Sequence, residues 1–334
     1  MLSRLYGSLA RRRRGWYERW PEARRRLDRP VVSVGALSVG GSGKTPITAR
    51  LAGLLVSMGE RPAVLSRGYA RTRRVAGVVV VRDVDRVRAG LAEAGDEPFM
   101  LAQALRDTAV LVAADRHRAG RLAETAMGAT VHLLDDGFQH LALHRDVDLL
   151  LLAEQDLADP RTLPGGRLRE PVDAARHADA LIVETPDAGR ARALADRLAV
   201  GRAFRFTRVL QPARHAETQQ EVGVAPGAPL LAVAGIAQPG RFFRALRARG
   251  YAVAATLAFR DHHPYTARDI ARIERLAAAR RVEYVVTTEK DRVRLLPYAP
   301  FAFPLLSIPL AVPIEPEASF RAWLGGRVER ARAA

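Results

Sequence analysis

Cysteine is absent from this 334-residue sequence. Without it the chain forms no disulfide, holds no metal through a thiolate and uses no cysteine nucleophile, and a reducing cytoplasmic setting is permitted. Long apolar runs are missing too, since none reaches the roughly 18 residues that a bilayer-spanning helix needs. The first residues also lack the continuous apolar segment of a signal peptide, so we expect neither a spanning helix nor a cleaved leader.

Acidic residues are outnumbered: 53 Lys and Arg face 36 Asp and Glu, which gives a formal net charge of +17. Such an excess indicates anionic partners, among them nucleotides, phospholipid headgroups and nucleic acids. Aromatic residues make up only 6% of the chain and no recognised nucleic-acid-binding motif occurs, which argues against the last of these. We therefore predict no nucleic-acid partner, although charge alone does not choose between nucleotide and lipid.

Lysine and asparagine are scarce as well. Only Lys44 and Lys290 are lysine among the 53 basic residues, and asparagine does not occur, as in a sequence that has drifted toward arginine and alanine. Under such drift a lysine is retained where a compact ammonium on a flexible stem is required. Both lysines are therefore candidate functional residues, with chance retention as the alternative for Lys290.

Arginine is abundant near the N-terminus, beside leucine and aromatic rings. Residues 1–29 place Leu2, Leu5 and Leu9 on one helical face and continue through a basic stretch that contains tryptophan. An interfacial helix has this chemistry, because apolar side chains enter the headgroup boundary while arginines meet anionic phosphates. We predict a basic amphipathic helix at an anionic membrane surface over residues 1–29. A solvated basic helix docked on its own domain is the alternative.

Beyond residue 30, short apolar runs alternate with helical stretches, which predicts a mostly parallel α/β sheet. The predicted strands of a first block are 31–35, 63–65, 78–81, 109–113, 130–134, 147–152 and 180–183. Those of a second block are 230–234, 251–257 and 283–287. The segment 209–227, rich in Gln, Pro and Gly, separates the two blocks. We predict a larger domain over residues 30–205 and a smaller α/β domain over residues 206–334.

A glycine-rich loop follows the first predicted strand and precedes a helix. Its sequence over residues 38–45, called the phosphate loop below, is SVGGSGKT. In this order of strand, loop and helix, backbone N–H groups surround phosphate oxygens at a helix N-terminus, a lysine reaches the β- and γ-phosphates, and a hydroxyl ligates Mg²⁺. Ser38 departs from the general motif, which has glycine there. The predicted nucleotide-binding residues are Gly40, Gly41, Ser42, Gly43, Lys44 and Thr45.

Two consecutive aspartates end a later apolar strand. Asp135 and Asp136 follow this strand about 90 residues after the phosphate loop, which suits a Walker B carboxylate on the neighbouring strand. Such an acid holds Mg²⁺ directly or through water. A single aspartate at a strand end commonly caps a turn, but two in succession, followed by GFQH, favour the metal role.

Candidate proton acceptors lie in further segments. Asp96, in the sequence GDEP, either caps a helix or accepts the proton that an acceptor hydroxyl loses as it attacks phosphorus. His262 and His263 lie on a predicted strand-to-helix loop, where ligands gather. No third metal ligand occurs at useful spacing, so we favour a hydrogen-bonding or base-orienting role. TTEKD, at residues 287–291, follows the next strand, with a simple capping box as the alternative.

Several loops carry arginine just beyond a predicted strand or among glycine and proline. Arginine forks suit phosphate, although a single arginine in so basic a chain is most often a surface residue. The clustering with the motifs above favours a site role. The arginines concerned are Arg67, Arg116, Arg118 and Arg169.

These motifs occur in a fixed order along most of the chain. They are VGGSGKTP from residue 39, SRGY from 66, GDEP from 95, DRHR from 115, LDDGFQH from 134, LREP from 168, DHH from 261 and TEKD from 288. In this order they resemble a family of P-loop kinases, the tetraacyldisaccharide 4'-kinases (lipid A 4'-kinases) of bacterial lipid A synthesis. The resemblance runs from the N-terminal basic helix to residue 291.

The resemblance implies an activity and a fold. ATP, with Mg²⁺, would phosphorylate the 4'-hydroxyl of a tetraacyl glucosamine disaccharide 1-phosphate at the cytoplasmic face of the bacterial inner membrane, by a chain that we predict to be a monomer. A P-loop NTPase-like α/β sheet with helices on both faces would be joined to the smaller domain by a two-stranded linker, at residues 203–212 and 302–310. Ala36 stands where the family usually has asparagine.

The resemblance also implies roles for individual residues. Lys44 would act in catalysis beside a proton-accepting pair, Asp96 and His262. Thr45, Asp135 and Asp136 would hold the metal, with Asp135 favoured as the Walker B acid. The implied substrate and phosphate contacts are Arg67, Arg116, Arg118, Gln139, Arg169 and Glu170. The alternative function is a P-loop GTPase or ATPase that acts as an assembly or metal-delivery switch.

Overall fold

A computed structural model describes residues 1–333. Its strands are β1 Val31–Ala36, β2 Pro62–Ser66, β3 Val79–Arg82, β4 Ala109–Val112, β5 Val131–Asp135, β6 Val147–Leu152, β7 Ala180–Glu184, β8 Ala203–Phe206, β9 Val209–Leu210, β10 Arg214–His215, β11 Pro229–Ala234, β12 Ala252–Ala258, β13 Tyr284–Thr288, β14 Leu305–Ile308, β15 Leu310–Ala311 and β16 Ile314–Glu315. Its α-helices are α1 Leu2–Arg19, α2 Lys44–Ser57, α3 Leu91–Ala94, α4 Asp96–Ala104, α5 Arg116–Met127, α6 Glu154–Ala158, α7 Ala188–Arg197, α8 Pro239–Ala248, α9 Ala267–Ala279, α10 Glu289–Leu295 and α11 Glu317–Ala333. Short 3₁₀ turns occupy Pro21–Ala23, Val172–His177 and Leu296–Tyr298.

The larger sheet has nine strands in the order β16-β8-β7-β6-β1-β5-β2-β4-β3. The seven strands from β8 to β4 run parallel, and β16 and β3 pair antiparallel at the two edges. Successive side chains alternate between the faces, so Val32 and Val34 pack with α2, α4 and α11, while Val31 packs with α5. The predicted mostly parallel α/β sheet with helices on both faces is confirmed.

The smaller sheet has five strands in the order β10-β14-β13-β11-β12. All of its pairings are parallel except that of β10 with β14. Phe242, Phe243 and Leu246 of α8 pack on one face, and Ile270 and Ile273 of α9 pack on the other. A second α/β unit is therefore present. Its strands β11 and β13 end near the loops whose side chains contact the GDEP segment, as described below.

All ten strands predicted from the sequence are present, with ends displaced by at most one residue. The predicted linker ranges are too long. Residues 203–206 are β8 of the larger sheet, and residues 305–308 are β14 of the smaller sheet. Within residues 1–333, only β9 and β15 form a separate two-stranded sheet, in which Leu210 is opposite Leu310. Strands this short carry too few apolar residues for a sequence pattern to separate them from their neighbours.

The last segment of the chain returns to the larger sheet. β16 pairs with β8, and Phe320, Leu324 and Val328 of α11 are buried in the core beside α2. The prediction that all of residues 206–334 belong to the smaller domain is therefore wrong for this segment, because the apolar face of α11 is covered by the larger sheet.

The first helix is docked by one face and exposed by the other. Arg14 is buried and Gly7 packs against Pro171, while Leu5 and Leu9 are 59% and 57% exposed. Docking on the protein and an exposed apolar stripe, which the sequence presented as alternatives, therefore coexist on opposite faces. Among residues 1–333, no helix has the length and apolar character needed to cross a bilayer.

Candidate active site

The phosphate loop connects β1, at the centre of the larger sheet, to α2. Gly40 and Gly43 have φ values of 79° and 89°, in the left-handed region that glycine adopts without strain. This geometry starts α2 at Lys44, whose Nζ donates a hydrogen bond to Ser42 Oγ at 3.0 Å and lies 3.7 Å from Asp136 Oδ1. Lys44 is thus held at a helix N-terminus beside the carboxylate of Asp136.

Asp135 lies at the end of β5, which pairs with β1. Thr45 Oγ1 donates to one of its carboxylate oxygens at 3.4 Å, and Thr48 Oγ1 donates to the other at 3.0 Å. The pKa of Asp135 is raised, first by burial and then by the carboxylates of Glu97 and Asp136. The site therefore concentrates negative charge in a buried place, an arrangement that a bound cation stabilises.

Asp136 faces a different set of partners. Arg169 donates to both of its carboxylate oxygens, at 2.7 and 2.6 Å, and also to the backbone oxygen of Ala36 at 3.0 Å. Burial acts to raise the pKa of Asp136, but Lys44 and Arg169 outweigh burial and hold the pKa below its ordinary value. Asp136 also has a φ of 58°, a strained conformation for a non-glycine residue that clusters at functional sites. The geometry thus separates the two aspartates, since Asp135 faces the Thr45 hydroxyl.

These side chains fit a magnesium nucleotide. A hydroxyl from Thr45 and the carboxylates of Asp135 and Asp136 are hard oxygen donors, and Mg²⁺ usually takes one or two carboxylates and completes its shell with water and phosphate oxygens. Within residues 1–333 no group of three or more His, Asp and Glu side chains is arranged to hold a metal by itself. These residues would therefore supply only part of a Mg²⁺ coordination shell, which water and phosphate oxygens of the nucleotide would complete.

The other predicted phosphate contacts differ in burial and in hydrogen bonding. Arg116 is buried, 3.3 Å from His140 Nδ1, and burial followed by repulsion from Arg67 lowers its pKa to about 10. Gln139 donates to the Ala36 backbone oxygen at 3.2 Å, and its Oε1 is buried without a partner. Arg67 and Arg118 are exposed. Arg116 and Gln139 are thus built into the site, and the exposed Arg67 is close enough to Arg116 to lower the pKa of Arg116.

Glu170 does not join the cluster. Its two carboxylate oxygens accept hydrogen bonds from Nε and Nη2 of Arg14, at 2.7 and 2.9 Å, and both side chains are buried. The acceptor capacity of Glu170 is used by the first helix, and the contact of Glu170 with substrate stays a prediction. In the sequence, Glu170 is a single acidic residue next to Arg169, and this pattern does not indicate which arginine Glu170 pairs with.

Asp96 begins α4 and faces the smaller sheet. His262 Nδ1 lies 2.8 Å from Asp96 Oδ2, and the Asp96 side chain is only 3% exposed. Burial acts to raise the pKa of Asp96, but His262, Lys290 and Arg294 outweigh it and keep the pKa below its ordinary value. A buried carboxylate that stays ionised beside a histidine is suited to accept a proton.

The backbone around this pair is specialised on both sides. Gly95 has a φ of 85°, and a Cβ there would lie 2.3 Å from the backbone oxygen of Tyr69. His262 itself has a φ of 54°, and its ring packs edge-on against Tyr69 with 4.9 Å between centroids. Strained backbone of this kind persists only where the surroundings enforce it, so both loops hold the pair in a defined orientation.

The adjacent histidine has another role. His263 Nε2 lies 3.0 Å from Asp269 Oδ2, and the His263 ring stacks on Phe259 with 4.6 Å between centroids. Asp269 also closes the capping box of α9 with Thr266. The structure therefore distinguishes the two histidines that the sequence left undecided: His262 faces Asp96, and His263 supports its own loop.

The TEKD motif divides in the same way. Thr288 caps α10, and the buried Asp291 accepts hydrogen bonds from the backbone of Gly235, from Tyr265 and from Arg294. These contacts tie the loops after β11 and β12 to α10. Lys290, by contrast, extends out of the smaller sheet's unit toward α4, so the capping interpretation accounts for Thr288 and Asp291 but not for the lysine.

A further arginine near the phosphate loop was missed from the sequence. Arg208, which precedes β9, donates to the backbone oxygen of Gly41 at 3.1 Å and to Glu184 at 3.1 Å. Arg241 of α8 also binds Glu184. Arg208 stands in no recognisable motif, so its sequence position alone gives no signal. The loop is therefore held from the connection between the two sheets as well as from its own strand.

The phosphate loop between β1 and α2, the paired aspartates after β5 and the buried Asp96–His262 pair together define a P-loop phosphotransferase. Comparison with known proteins makes the assignment specific. The family model for tetraacyldisaccharide-1-P 4'-kinase matches residues 1–329, and the chain belongs to this family.

Individual relatives and a solved structure agree. The chain is similar to tetraacyldisaccharide 4'-kinases from Geobacter sulfurreducens, at 38% identity over 93% of this chain and 88% of the relative, and from Nitrobacter winogradskyi, at 39% identity over 98% and 92%. It is also similar to the crystal structure of LpxK from Aquifex aeolicus in complex with ATP, with a TM-score of 0.79 and 31% identity, covering 98% of this chain and 97% of that one. The resemblance stated from the motifs is confirmed.

Proposed function

We propose that this chain transfers the γ-phosphate of ATP to the 4'-hydroxyl of a tetraacyl glucosamine disaccharide 1-phosphate, with Asp96 as the proton acceptor. The observation that carries the proposal is the 2.8 Å contact between Asp96, at the start of α4, and His262, in the loop after β12 of the smaller sheet. Glu97, the residue after Asp96, is close enough to Asp135 to raise the pKa of Asp135. An acceptor site is therefore built against the metal side of the phosphate loop, which a simple nucleotide hydrolase does not require.

The nucleotide side of the mechanism belongs to the phosphate loop. When bound, ATP supplies the phosphoryl group and Mg²⁺ neutralises charge on its oxygens. Lys44 would hold the phosphates, and Thr45 and Asp135 would hold the metal. Arg169 fixes Asp136 through two hydrogen bonds, and buried Arg116 adds positive charge beside it. Phosphoryl transfer needs mainly positioning and charge stabilisation, which these fixed groups provide.

The acceptor side supplies the proton transfer. Asp96 is ionised at neutral pH, because its pKa is held below its ordinary value, and it accepts the proton from the attacking hydroxyl. His262 faces the same carboxylate and orients it. General-base assistance of this kind contributes roughly 10²–10⁴-fold to a rate.

The test is to incubate the protein with γ-labelled ATP and purified disaccharide 1-phosphate lipid and to ask where the label resides. We expect label on the glycolipid from the unmodified chain and none from Lys44→Ala. Asp96→Asn should lower kcat by roughly 10²–10⁴-fold while the Kd for ATP changes little. Asp107→Asn, an exposed aspartate beyond α4, is the matched control.

Three results would contradict the proposal. Release of labelled phosphate without labelled lipid would favour the ATPase switch instead. Normal labelling by Lys44→Ala would remove the phosphate loop from the reaction. Equal losses of turnover and ATP binding in Asp96→Asn would remove Asp96 from the role of base while leaving the kinase activity standing.

We further propose that α1 places the chain on the cytoplasmic face of the inner membrane. Support comes from the face of α1 opposite the buried Arg14, which exposes Leu2, Leu5 and Leu9 beside several arginines. Exposed apolar side chains interleaved with arginine bind anionic interfaces, each basic contact being worth about 1 kcal/mol near the surface. The lipid substrate is an anchored, anionic molecule, so a surface-bound monomer without a nucleic-acid partner is the simplest working form.

Sedimentation with vesicles tests this placement. The chain should co-sediment with vesicles that contain phosphatidylglycerol more than with neutral phosphatidylcholine vesicles, and Leu5→Glu with Leu9→Glu should release it. Val84→Glu, which changes an exposed valine far from α1 in sequence, is the control and should not. Equal binding of all three proteins would contradict the role of α1.

A further inference from the structure

Arg208 joins the phosphate loop to the end of β7. Its Nη2 donates to the backbone oxygen of Gly41 at 3.1 Å, and its Nε donates to Glu184 Oε1 at 3.1 Å. The side chains of Arg208 and Glu184 are only 19% and 16% exposed. One guanidinium therefore binds a carbonyl of the loop and a carboxylate of the larger sheet, and the two contacts together fix its orientation.

The loop has room for this guanidinium because of a glycine. A Cβ at Gly43 would lie 3.0 Å from Arg208 Nη2, so a side chain there would push the guanidinium away. On the other side of the same turn, the backbone N–H of Ser42 donates to the Gly40 oxygen at 2.6 Å. The Gly41 C=O and the Ser42 N–H belong to one planar peptide. Both polar atoms of this peptide are therefore held, and Arg208 holds one of them.

Glu184 is shared with the smaller unit. Arg241, in the first turn of α8, donates from Nη1 to Glu184 Oε2 at 3.1 Å and from Nη2 to the other carboxylate oxygen. Arg208 comes from the connection between β8 and β9. One carboxylate thus orders two arginines, and two guanidiniums against one carboxylate leave net positive charge beside the loop, which favours an anionic ligand.

The smaller unit also packs against the loop directly. A Cβ at Gly40 or at Gly41 would lie 3.6 Å from the Cβ of Ala237, and the one at Gly41 would lie 3.8 Å from the side chain of Gln238. Ala237 and Gln238 lie between β11 and α8. The N-terminal end of α8 therefore meets the phosphate loop twice, by packing through Ala237 and by charge through Arg241.

We propose that Arg208 is a positioning residue for ATP, which holds the peptide between Gly41 and Ser42 in place. Glu184 and Arg241 orient Arg208 and so relay the position of α8 to the phosphate loop. The affinity of the loop for the ATP phosphates then depends on where the smaller unit lies. The proposal rests on the proposed function, because it takes ATP to be the ligand of this loop.

Arg208→Met removes the charge and the donors at nearly constant side-chain length. We expect the Kd for ATP, measured by calorimetry, to rise roughly 10- to 100-fold, the range for a lost hydrogen bond to a charged group. At saturating ATP, kcat should change little, because the loop holds the phosphates in the ground state and in the transition state alike. Arg247→Met, at an exposed arginine of α8, is the matched control and should keep the Kd unchanged.

Glu184→Met separates positioning from charge. It removes a negative charge beside the loop, which by charge alone would tighten ATP binding. Loss of the acceptor that orients Arg208 should instead weaken ATP binding. Arg208→Lys gives the complementary test, because it keeps the charge without the planar fork that joins Gly41 to Glu184, and it should bind ATP more weakly than the unmodified chain.

A double variant tests the relay from α8. Arg241→Met should raise the Kd for ATP in the unmodified chain by less than Arg208→Met does. In the Arg208→Met background it should raise the Kd no further, because Arg241 acts through that guanidinium. Two independent charge effects would add instead.

Hydrogen exchange locates the effect in the chain. Without nucleotide, the amides of residues 38–45 should exchange faster in Arg208→Met than in the unmodified chain, while those of the buried strand β6 should exchange at the same rate. Faster exchange in both segments would mean that the variant has lost global stability, and Arg208 would then be a structural residue only.

Three binding results would overturn the role of Arg208: a Kd for Arg208→Met equal to that for Arg247→Met, tighter ATP binding by Glu184→Met, or full ATP affinity in Arg208→Lys. An additive effect of Arg241→Met would overturn the relay. These measurements need no lipid, so they stand apart from the proposed reaction. If the unmodified chain binds ATP but does not label the glycolipid, the proposed function fails and the role of Arg208 is still decided by the Kd values.

Discussion

Arg14 of α1 and Glu170, two residues after the buried Leu168, form a buried ion pair in which both carboxylate oxygens accept from one guanidinium, at 2.7 and 2.9 Å. The same guanidinium stands over the ring of Phe138, 4.6 Å from its centroid. The first helix is thereby fixed to the segment that supplies Arg169. This pair thus contributes both to the docking of α1 and to the placement of the segment that carries Arg169.

Breaking this pair should destabilise the protein strongly. Glu170→Ala leaves a buried, unpaired guanidinium, for which we expect a loss of about 3–5 kcal/mol in the free energy of unfolding. The matched control is Asp173→Ala, which breaks the exposed pair between Arg11 and Asp173 and should change stability by no more than about 1 kcal/mol. Urea unfolding measures both. Equal losses would mean that the Arg14 pair is solvated in solution.

Gly95 should resist substitution more than Gly53 does. Gly95→Ala requires a left-handed φ of 85° and places a Cβ 2.3 Å from the Tyr69 backbone oxygen, so the turn must shift and move Asp96 with it. We expect kcat to fall about 10²-fold. Gly53→Ala, in the interior of α2 with no atom near the new Cβ, should instead stabilise the protein by about 0.5–1 kcal/mol. A normal kcat for Gly95→Ala would show that the Asp96 position tolerates displacement.

The regular part of the fold and the nucleotide side of the site were predictable from the sequence. Strands such as β1 and β6 are buried on both faces and therefore appear as nearly continuous apolar runs, interrupted only by Ser33 and Asp148. The phosphate loop is local, since Gly40, Gly43 and Lys44 act through backbone conformation and a helix N-terminus. Interactions that depend only on neighbouring residues leave a pattern in the sequence.

Long-range partners were not predictable in the same way. Nothing in the sequence indicates that Glu170 binds Arg14, 156 positions away. His262 and His263 are chemically identical neighbours, and only the backbone at His262, with its φ of 54°, decides which ring reaches Asp96. α11 was assigned to the smaller domain because chain order says nothing about which sheet covers an apolar face. For Glu170 and α11 the deciding contact joins residues far apart in the chain, and for His262 the deciding backbone conformation is not visible in the sequence.

The pH dependence of stability should reveal the state of Asp96. Its pKa lies below the ordinary value of 3.8, so the group contributes stability above that pH, and the contribution is lost as the pH falls through the lowered pKa. We expect the difference in unfolding free energy between the unmodified chain and Asp96→Asn to be constant from about pH 5 to about pH 8. Below about pH 4 this difference should shrink. A difference that grows on acidification would mean that burial dominates and the carboxyl is protonated in the folded chain.

Arg169 should not be replaceable by lysine. Its guanidinium donates to both oxygens of Asp136 and to the Ala36 backbone oxygen at once, a planar fork that a single ammonium cannot reproduce. Arg169→Lys keeps the charge, so we expect ATP to bind with little change while Asp136 turns and kcat falls by roughly 10²-fold. Arg176→Lys, at an exposed arginine of the neighbouring 3₁₀ turn, controls for the substitution itself and should leave kcat unchanged.

The comparison of kcat with ATP affinity decides what Arg169 does. A loss confined to kcat would show that the Arg169 guanidinium acts by aligning Asp136. A group that binds ATP equally in the ground state and the transition state would instead change ATP affinity when it is replaced. A fall in ATP affinity with normal kcat would place the guanidinium on the nucleotide in the ground state instead. Full activity of Arg169→Lys would show that charge alone is required at this position, and the geometry of the fork would then have no part in phosphoryl transfer.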